Sequence, residues 1–284
     1  MTIISRLREP ILYPFRRMYI RRRILATGDY ETSWREVTEL VKSWGHVGWT
    51  TDDIQINVFE QSSVTMIMRN DQRQWAGEAV AESLFFGFQT RYKTLVRIQC
   101  GYLEEDNTEV PTSTNIFFGI IVDDIIYNTD DEAILTVLSL TWAMKEQPSR
   151  PILTTSVSNN TSSALVTRVR DVTDGAGNFI LQRYITSGAW QIGTTTQAFA
   201  DFAQPQLDNY NCWDLLARLS RAENFVMFLD AAGNFVFKNR DPNTTVTQWI
   251  FNGPGVVDRT YGINIMSGVD VNDGWHRIFN RVRF

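Results

Sequence analysis

The stretch from Gln61 to Trp75 constrains this chain more than any other. Within it, Val64, Met66 and Met68 alternate with Thr65, Ile67 and Arg69. A period of two lays one set of side chains on a core and turns the other toward solvent or a neighbour, which predicts a strand. The strand stops at Asn70-Asp71, residues whose short side chains satisfy backbone groups in turns. A short strand over Ile54 to Phe59 precedes it, and three further runs follow. Leu95 to Tyr102 places Val96, Ile98, Cys100 and Tyr102 on one face. Asn115 to Ile125 carries Gly119, the mark of a bulge or a close backbone approach. Ala133 to Met144 reads as the last strand, with Ile134, Thr136, Leu138, Leu140, Trp142 and Met144 sharing a face. Short strands separated by turn signals predict a barrel or a sandwich.

At 284 residues the chain is long for one small domain, and 43% hydrophobic content supports a real core. Nine tryptophans within a 12% aromatic content exceed ordinary need and suit core packing, subunit interfaces or sugar platforms. The net charge of -5 supplies no global basic field for nucleic acid. Cys100 and Cys212 form no C-x-x-C pair and read as buried thiols. No run approaches the roughly 20 apolar residues of a membrane span, so no stable membrane association is expected. The N-terminus lacks a clean apolar segment, so no secretory signal is expected.

Taken in order, residues 1–28 read as a basic N-terminal arm. Arg6, Arg8, Arg16, Arg17, Arg21, Arg22 and Arg23 interleave with aromatic and aliphatic residues, and Pro10 and Pro14 break any long helix. The arm is either solvated or a docking arm for an acidic, hydrophobic groove on a partner, with Arg16, Arg17, Arg21, Arg22 and Arg23 as the candidate docking residues. In both cases it is expected to be mobile in the free protein, because so short a segment buries too little to offset its ordering entropy. Residues 29–147 read as one β domain. Ser33 and Glu36 have capping-box spacing before a helical turn through Val37, Leu40 and Val41. Trp44 to Trp49 reads as a turn, Trp75 to Gln89 as a long excursion, and Glu104 to Thr114 as a loop.

Two prolines and many Ser, Thr and Asn residues between Gln147 and Asn160 place a domain boundary there. Residues 148–265 form the second domain, α+β in character. Ser162 or Ser163 is expected to cap a helix using Leu165, Val166, Val169 and Val172. Asp174-Gly-Ala-Gly-Asn-Phe179 and Asp230-Ala-Ala-Gly-Asn-Phe235 each give a hairpin signal. Between them Asn211 is a good N-cap for a helix with Trp213, Leu216, Leu219 and Ala222 on one face, ending near Asn224. A strand over Phe225 to Leu229, a turn, and a return strand over Phe235 to Lys238 complete a helix–β-hairpin unit.

This unit, opening Asn-Cys-Trp-Asp-Leu-Leu and continuing through Asp-Ala-Ala-Gly-Asn to Phe-Val-Phe-Lys, resembles the middle region of the central tail hub proteins of tailed bacteriophages and related contractile injection systems. The first half agrees. Its strands ending Arg-Asn-Asp and Cys-Gly-Tyr, then Ile-Phe-Phe-Gly-Ile-Ile-Val-Asp-Asp-Ile, resemble the first hub domain. The ending Arg277-Ile-Phe-Asn-Arg-Val-Arg283 resembles the strand by which such proteins re-enter a tube-like domain, here residues 266–284. The basic arm is no part of the shared pattern, and the chain stops where hub proteins often continue.

The resemblance implies a mainly β protein, with a β-barrel or split-barrel tube-like domain followed by the α+β domain. It implies a homotrimer at the tail tip or baseplate of a virion, assembled in the host cytoplasm. There it would close the tail tube and adapt it to a spike or fibre during tail assembly and genome ejection. The implied partners are the tail tube, the distal tail and baseplate proteins, and the spike or fibre, with the tape-measure protein as a further candidate. DNA would be met only in transit. No cofactor and no metal are implied.

Enzyme constellations are poor. There is no Gly-x-Ser-x-Gly elbow, Walker loop or His-Glu-x-x-His. Only His46 and His276 exist, which excludes a multi-histidine metal site. Asp123 and Asp124 are neighbours on a predicted strand and point apart. The expectation is therefore no enzyme and no catalytic residue. Two alternatives remain: a six-fold distal tail protein, and a carbohydrate- or cell-wall-binding module or glycosidase using Trp34, Trp44, Trp49 and Trp75.

Overall fold

The computed structural model describes residues 13–24, 26–51, 58–87, 93–104, 109, 114–122, 125–129, 131–147, 160–174, 176–195, 198–199 and 211–239. The chain divides into two compact units, Met1–Asp241 and Pro242–Phe284. The second unit, and with it the predicted returning strand 266–284, lies outside the described residues. So do residues 54–57 of the first predicted strand and the carboxylates Asp123 and Asp124.

In chain order the strands are β1 (Tyr13–Arg21), β2 (Arg35–Glu36), β3 (Val41–Ser43), β4 (Trp49–Thr51), β5 (Val58–Gln61), β6 (Val64–Arg69), β7 (Thr94–Leu103), β8 (Thr114–Ile121), β9 (Ile126–Thr129), β10 (Glu132–Ser139), β11 (Asn160–Thr161), β12 (Trp190–Ile192), β13 (Ala198–Phe199), β14 (Phe225–Leu229) and β15 (Phe235–Asn239). The helices are α1 (Thr141–Glu146), α2 (Ser162–Arg170) and α3 (Cys212–Glu223). The mainly β expectation holds.

The largest sheet is a curled, antiparallel half-barrel with strand order β2-β1-β7-β8-β10-β6-β3, and β9 also pairs with β10. Its two end strands, β2 and β3, are consecutive in sequence. The segment Arg35–Ser43 pairs with β1 at one end and with β6 at the other, so nine residues of chain tie the two edges together. That tie protects edges that would otherwise be open to pairing with another chain. The segment turns through one 3-10 turn, Thr38–Leu40, and buries Val37 and Leu40. Ser33 and Glu36 make no cap there. Met18 N donates to Thr38 Oγ1 (3.0 Å) and Val37 N to the Met18 carbonyl (2.8 Å).

The concave side of the sheet holds the first core: Met18 and Ile20 of β1, Val64, Met66 and Met68 of β6, Val96 and Ile98 of β7, Phe117 and Ile121 of β8, and Ala133, Leu135 and Val137 of β10. The face of β6 is the one its alternation predicts. The excursion after β6 is a series of turns and not a helix, and it inserts Trp75, Leu84 and Phe85 into this core. Gly119 of β8 makes the predicted close approach: a Cβ there would collide with the Leu138 carbonyl oxygen and the Phe117 ring.

Two sequence expectations are corrected here, the extent of the last strand and the burial of Cys100, and the inner face of β10 is identified. β10 ends at Ser139, and Thr141–Glu146 is helix α1. Its fully buried residues are Ala133, Leu135 and Val137, so Ile134, Thr136 and Leu138 lie on the other, outer face. On β7 the buried alternation stops at Ile98, and Cys100 and Tyr102 are half-exposed. On β10 both faces carry apolar side chains, so alternation alone does not say which face is inside; on β7 the inward face continues past the end of the core, leaving Cys100 and Tyr102 half-exposed.

The convex side of β7 and β8 supports a second core. Leu95, Phe118 and Ile120 pack with α1, α2, α3 and the β14–β15 hairpin. Asn211 caps α3 as predicted, its Oδ1 accepting from Asp214 N at 2.8 Å, and Asn224 closes the helix in the left-handed region (φ 56°). Trp213, Leu216 and Leu219 are buried, whereas Ala222 is exposed. Helix α2 is capped by Thr161 rather than by Ser162 or Ser163; its side chain accepts from Ala164 N at 3.3 Å.

The two echoed turns share one geometry. Asp174 Oδ1 accepts from the backbone of Ala176 and Asn178, both at 2.9 Å, and Asp230 Oδ1 accepts from Ala232 (2.9 Å) and Asn234 (2.8 Å). Only the second closes a full hairpin; the first closes a single bridge, Thr173 to Phe179. Gly233 (φ +86°) lies against the Phe118 ring, so a side chain there meets both backbone strain and that ring.

The first and second cores are joined by one long, kinked hairpin. Its base, β3–β6, belongs to the half-barrel, and its far end, β4–β5, joins the second sheet, ordered β12-β15-β14-β5-β4. Strand β5 pairs in parallel with β14, and the Phe59 and Phe228 rings meet edge-on at 6.5 Å. Glu60 of β5 accepts from Thr141 Oγ1 (2.6 Å) and pairs with Lys145 Nζ (2.7 Å) on α1. Along β10 and α1 the chain passes from the first core, which ends at Val137, to the second, which begins at Leu140; residues 147–148 lie within the first compact unit.

Candidate interaction site

Within the arm expected to be mobile in the free protein, Tyr13–Arg21 is strand β1 of the largest sheet. Tyr13–Arg21 pairs with β7 along its whole length, from Tyr13 opposite Leu103 to Arg21 opposite Leu95. Met18 and Ile20 are both fully buried. Alternation explains it: even-numbered positions 18 and 20 point into the core, while Arg17, Tyr19 and Arg21 point outward. The buried area and the ladder of backbone bonds supply what an isolated segment lacks. Residues 1–12 lie outside the described residues.

Each candidate docking arginine has an intramolecular contact. The Arg16 guanidinium lies 6.0 Å from the centre of the Trp44 ring. Arg17 lies over the Phe15 ring at 4.7 Å, pairs with Glu109, and approaches Glu36 at 3.9 Å. Arg21 Nε donates to the Glu31 carbonyl. Arg22 makes the strongest set: Nε donates to Glu31 Oε2 (2.9 Å), Nη2 donates to Glu31 Oε1, and Nη1 donates to the Leu84 carbonyl. Its backbone N also donates to Glu31 Oε2 at 3.0 Å. Burial opposes ionisation of Glu31, but these bonds from Arg22 outweigh it and hold the carboxyl below its ordinary range. Arg23 Nε donates to the Gly28 carbonyl at 2.7 Å.

One arginine outside the segment belongs to the same face. Arg97 of β7 stands opposite Tyr19, its guanidinium 4.9 Å from the Tyr19 ring and 4.7 Å from the Trp34 ring. Burial lowers its affinity for a proton, but the group remains a cation held between two aromatic faces. Trp34 in turn meets Phe118 edge-on at 5.5 Å. The face is therefore a locking surface, in which guanidinium groups fasten the segment after β1 to the sheet.

The tryptophans proposed as sugar platforms are mostly committed to packing. Trp75 is fully buried against Phe85 (5.9 Å between ring centres), Trp34 covers Arg97 and Phe118, and Trp44 is half-buried beside the first core. The Trp49 side chain lies outside the described residues. Cys212 sits at the first turn of α3, and burial pushes its thiol up to about 12. Among the described residues no group of three or more His, Cys, Asp or Glu side chains is placed to hold a metal ion. No helix among them is long and apolar enough to cross a membrane.

The outer face of β6, β10 and β9 was missed by sequence reasoning. Ile67, Ile134 and Ile126 are cross-strand partners in one row, continued on β3 by Ser43. Ile126 is 61% exposed. The signal existed, because Ile134, Thr136 and Leu138 share one face in the sequence pattern, but the pattern does not say whether that face is inside.

No protein-family model and no curated protein matches this chain. Among solved structures it is similar to the 43 kDa tail protein of prophage MuSo2 from Shewanella oneidensis, at 12% identity and a TM-score of 0.43, over 78% of this chain and 53% of that one. It is also similar to the prophage tail protein gp18 from Listeria monocytogenes EGD-e, at 11% identity and a TM-score of 0.40, over 84% of this chain and 56% of that one. This chain thus spans about half the length of each of those two proteins.

Proposed function

We propose that this protein is a structural component of a phage-type tail, and within it a hub that closes the tail tube and adapts it to a spike or fibre. One observation carries the reading. The motifs that resemble hub proteins fall on successive parts of one tied assembly: the Arg-Asn-Asp strand is β6, the Cys-Gly-Tyr strand is β7, the Ile-Phe-Phe-Gly strand is β8, and the helix–hairpin unit is α3, β14 and β15. The fold suits a mechanical task. The half-barrel is tied across its edges, and the β3–β6 hairpin continues as β4–β5 into the second sheet. In this role the chain acts without a catalytic centre or cofactor, as a homotrimer whose barrel-like domains surround a conduit through which DNA passes. Its neighbours would be the tail tube, distal tail and baseplate proteins.

Imaging the assembled particle end-on tests the proposal. Three copies around one axis are expected. Six copies per ring would replace the hub with the distal tail reading, and a protein that never enters a tail but retains glycan in a pull-down would replace both.

A further inference from the structure

We infer that residues 26–34 form a strap that couples the two cores, with Trp34 as its pin. The chain reaches both cores here in quick succession. Met18 and Ile20 of β1 lie in the first core, Tyr30 and Trp34 pack against the second, and Val37 and Leu40 return to the first. The strap is tied to the end of β1. Arg23 and Tyr30 form a backbone bridge, Glu31 N donates to the Arg22 carbonyl at 3.0 Å, and the Glu31 carboxylate holds the Arg22 guanidinium. The Tyr30 side chain then reaches across to the second core. Its hydroxyl donates to the Lys93 carbonyl at 2.5 Å, and its ring meets that of Tyr184 edge-on at 6.2 Å.

Trp34 sits on a row that crosses the sheet. Tyr19, Arg97 and Phe118 are successive cross-strand partners on β1, β7 and β8. Trp34 touches two of them: its ring lies 4.7 Å from the Arg97 guanidinium and 5.5 Å from the Phe118 ring. The same Phe118 ring meets Gly233 at the turn of the β14–β15 hairpin. Arg97 Nε is buried with no hydrogen-bond partner, so it is the Tyr19 and Trp34 rings that hold the cation. Packed contacts therefore run without a break from β1, through Arg97, Trp34 and Phe118, to a turn of the second sheet. The side chains of the first core lie on the opposite face of the same strands. Removing the pin should therefore loosen the strap and the hairpin together while the first core stays closed.

Hydrogen–deuterium exchange of the full chain tests the coupling in Trp34→Leu and Trp34→Phe, followed at residues 26–34, 225–239 and 64–69. Trp34→Leu should speed exchange by about fivefold or more at both 26–34 and 225–239, with 64–69 at the parent rate. Trp34→Phe keeps a ring over the cation and should stay within about twofold of the parent. Arg97→Met removes the cation but leaves the tryptophan; it should loosen the same two stretches, and it takes the place of Trp34→Leu if that variant does not fold. Faster exchange at 26–34 alone would make Trp34 a local contact and overturn the coupling. An equal rise at all three stretches would make it an ordinary stability residue and overturn it too, as would parent rates throughout.

Discussion

Strands β1 and β6 bury alternate residues in the same core, yet only one is recognisable at sight. On β6 the inward residues are Val64, Met66 and Met68, and two of the three outward ones, Thr65 and Arg69, are polar. On β1 the inward residues Met18 and Ile20 are outnumbered by three arginines, Pro14 and the aromatics Tyr13, Phe15 and Tyr19. The difference teaches that a strand needs little apolar sequence of its own when its neighbours supply the cavity. Two buried side chains, a nine-residue ladder to β7 and a set of guanidinium contacts do for β1 what a clean alternation does for β6.

The sharpest way to break this comparison is to cut one buried side chain from each strand. Ile20→Ala and Met66→Ala should each cost about 2–5 kcal/mol, since both leave a cavity in one close-packed core. Matched denaturant titrations check it. A large loss for Met66→Ala with none for Ile20→Ala would return β1 to the status of a loose arm.

The next effect belongs to β1 alone. Glu31→Gln removes the anion that holds Arg22 and should lower stability by about 1.5–3 kcal/mol, the range for hydrogen bonds to charged groups. The effect is pH-dependent in a defined sense. The Glu31 carboxyl is held below its ordinary range in the folded protein, so its contribution is present above the unfolded value of about 4.3 and is lost as pH falls through the folded value. The gap between parent and Glu31→Gln should therefore narrow on acidification from pH 6 toward roughly pH 3. A gap that widens on acidification would show that Glu31 is not the stabilising anion.

The smallest effects are expected where the two strands are most alike. Arg17→Ala on β1 removes a half-exposed pair and Arg69→Ala on β6 an exposed one, and each should cost less than about 1 kcal/mol. A much larger loss at Arg17 would mean that its pairing with Glu109, not the buried face, holds β1 in place.

These contrasts also mark what was legible. The β6 alternation, the close approach at Gly119 and the Asn211 cap with its helix–hairpin unit were readable because each is a local rule with a short range in sequence. The arginine segment was misread because its partners are remote: Leu84 is 62 residues from Arg22, and β7 begins far along the chain. The inner face of β10 was not legible because Ala133, Leu135 and Val137 are no more apolar than Ile134 and Leu138. Only the packing of the whole sheet decides between them. The isoleucine row was hidden by the same ambiguity. The tie between the sheet edges, Arg35–Ser43, was invisible for another reason: two residues of strand before one turn and three after it leave no periodic signal.

Hydrogen–deuterium exchange of the free, full-length chain tests the central claim most directly, by comparing the peptide spanning residues 13–21 with the one spanning 64–69. If β1 is an integral strand of the half-barrel, its amides exchange slowly, with protection approaching that of β6. Exchange of residues 13–21 at the rate of an unstructured chain, while 64–69 stays protected, would contradict it.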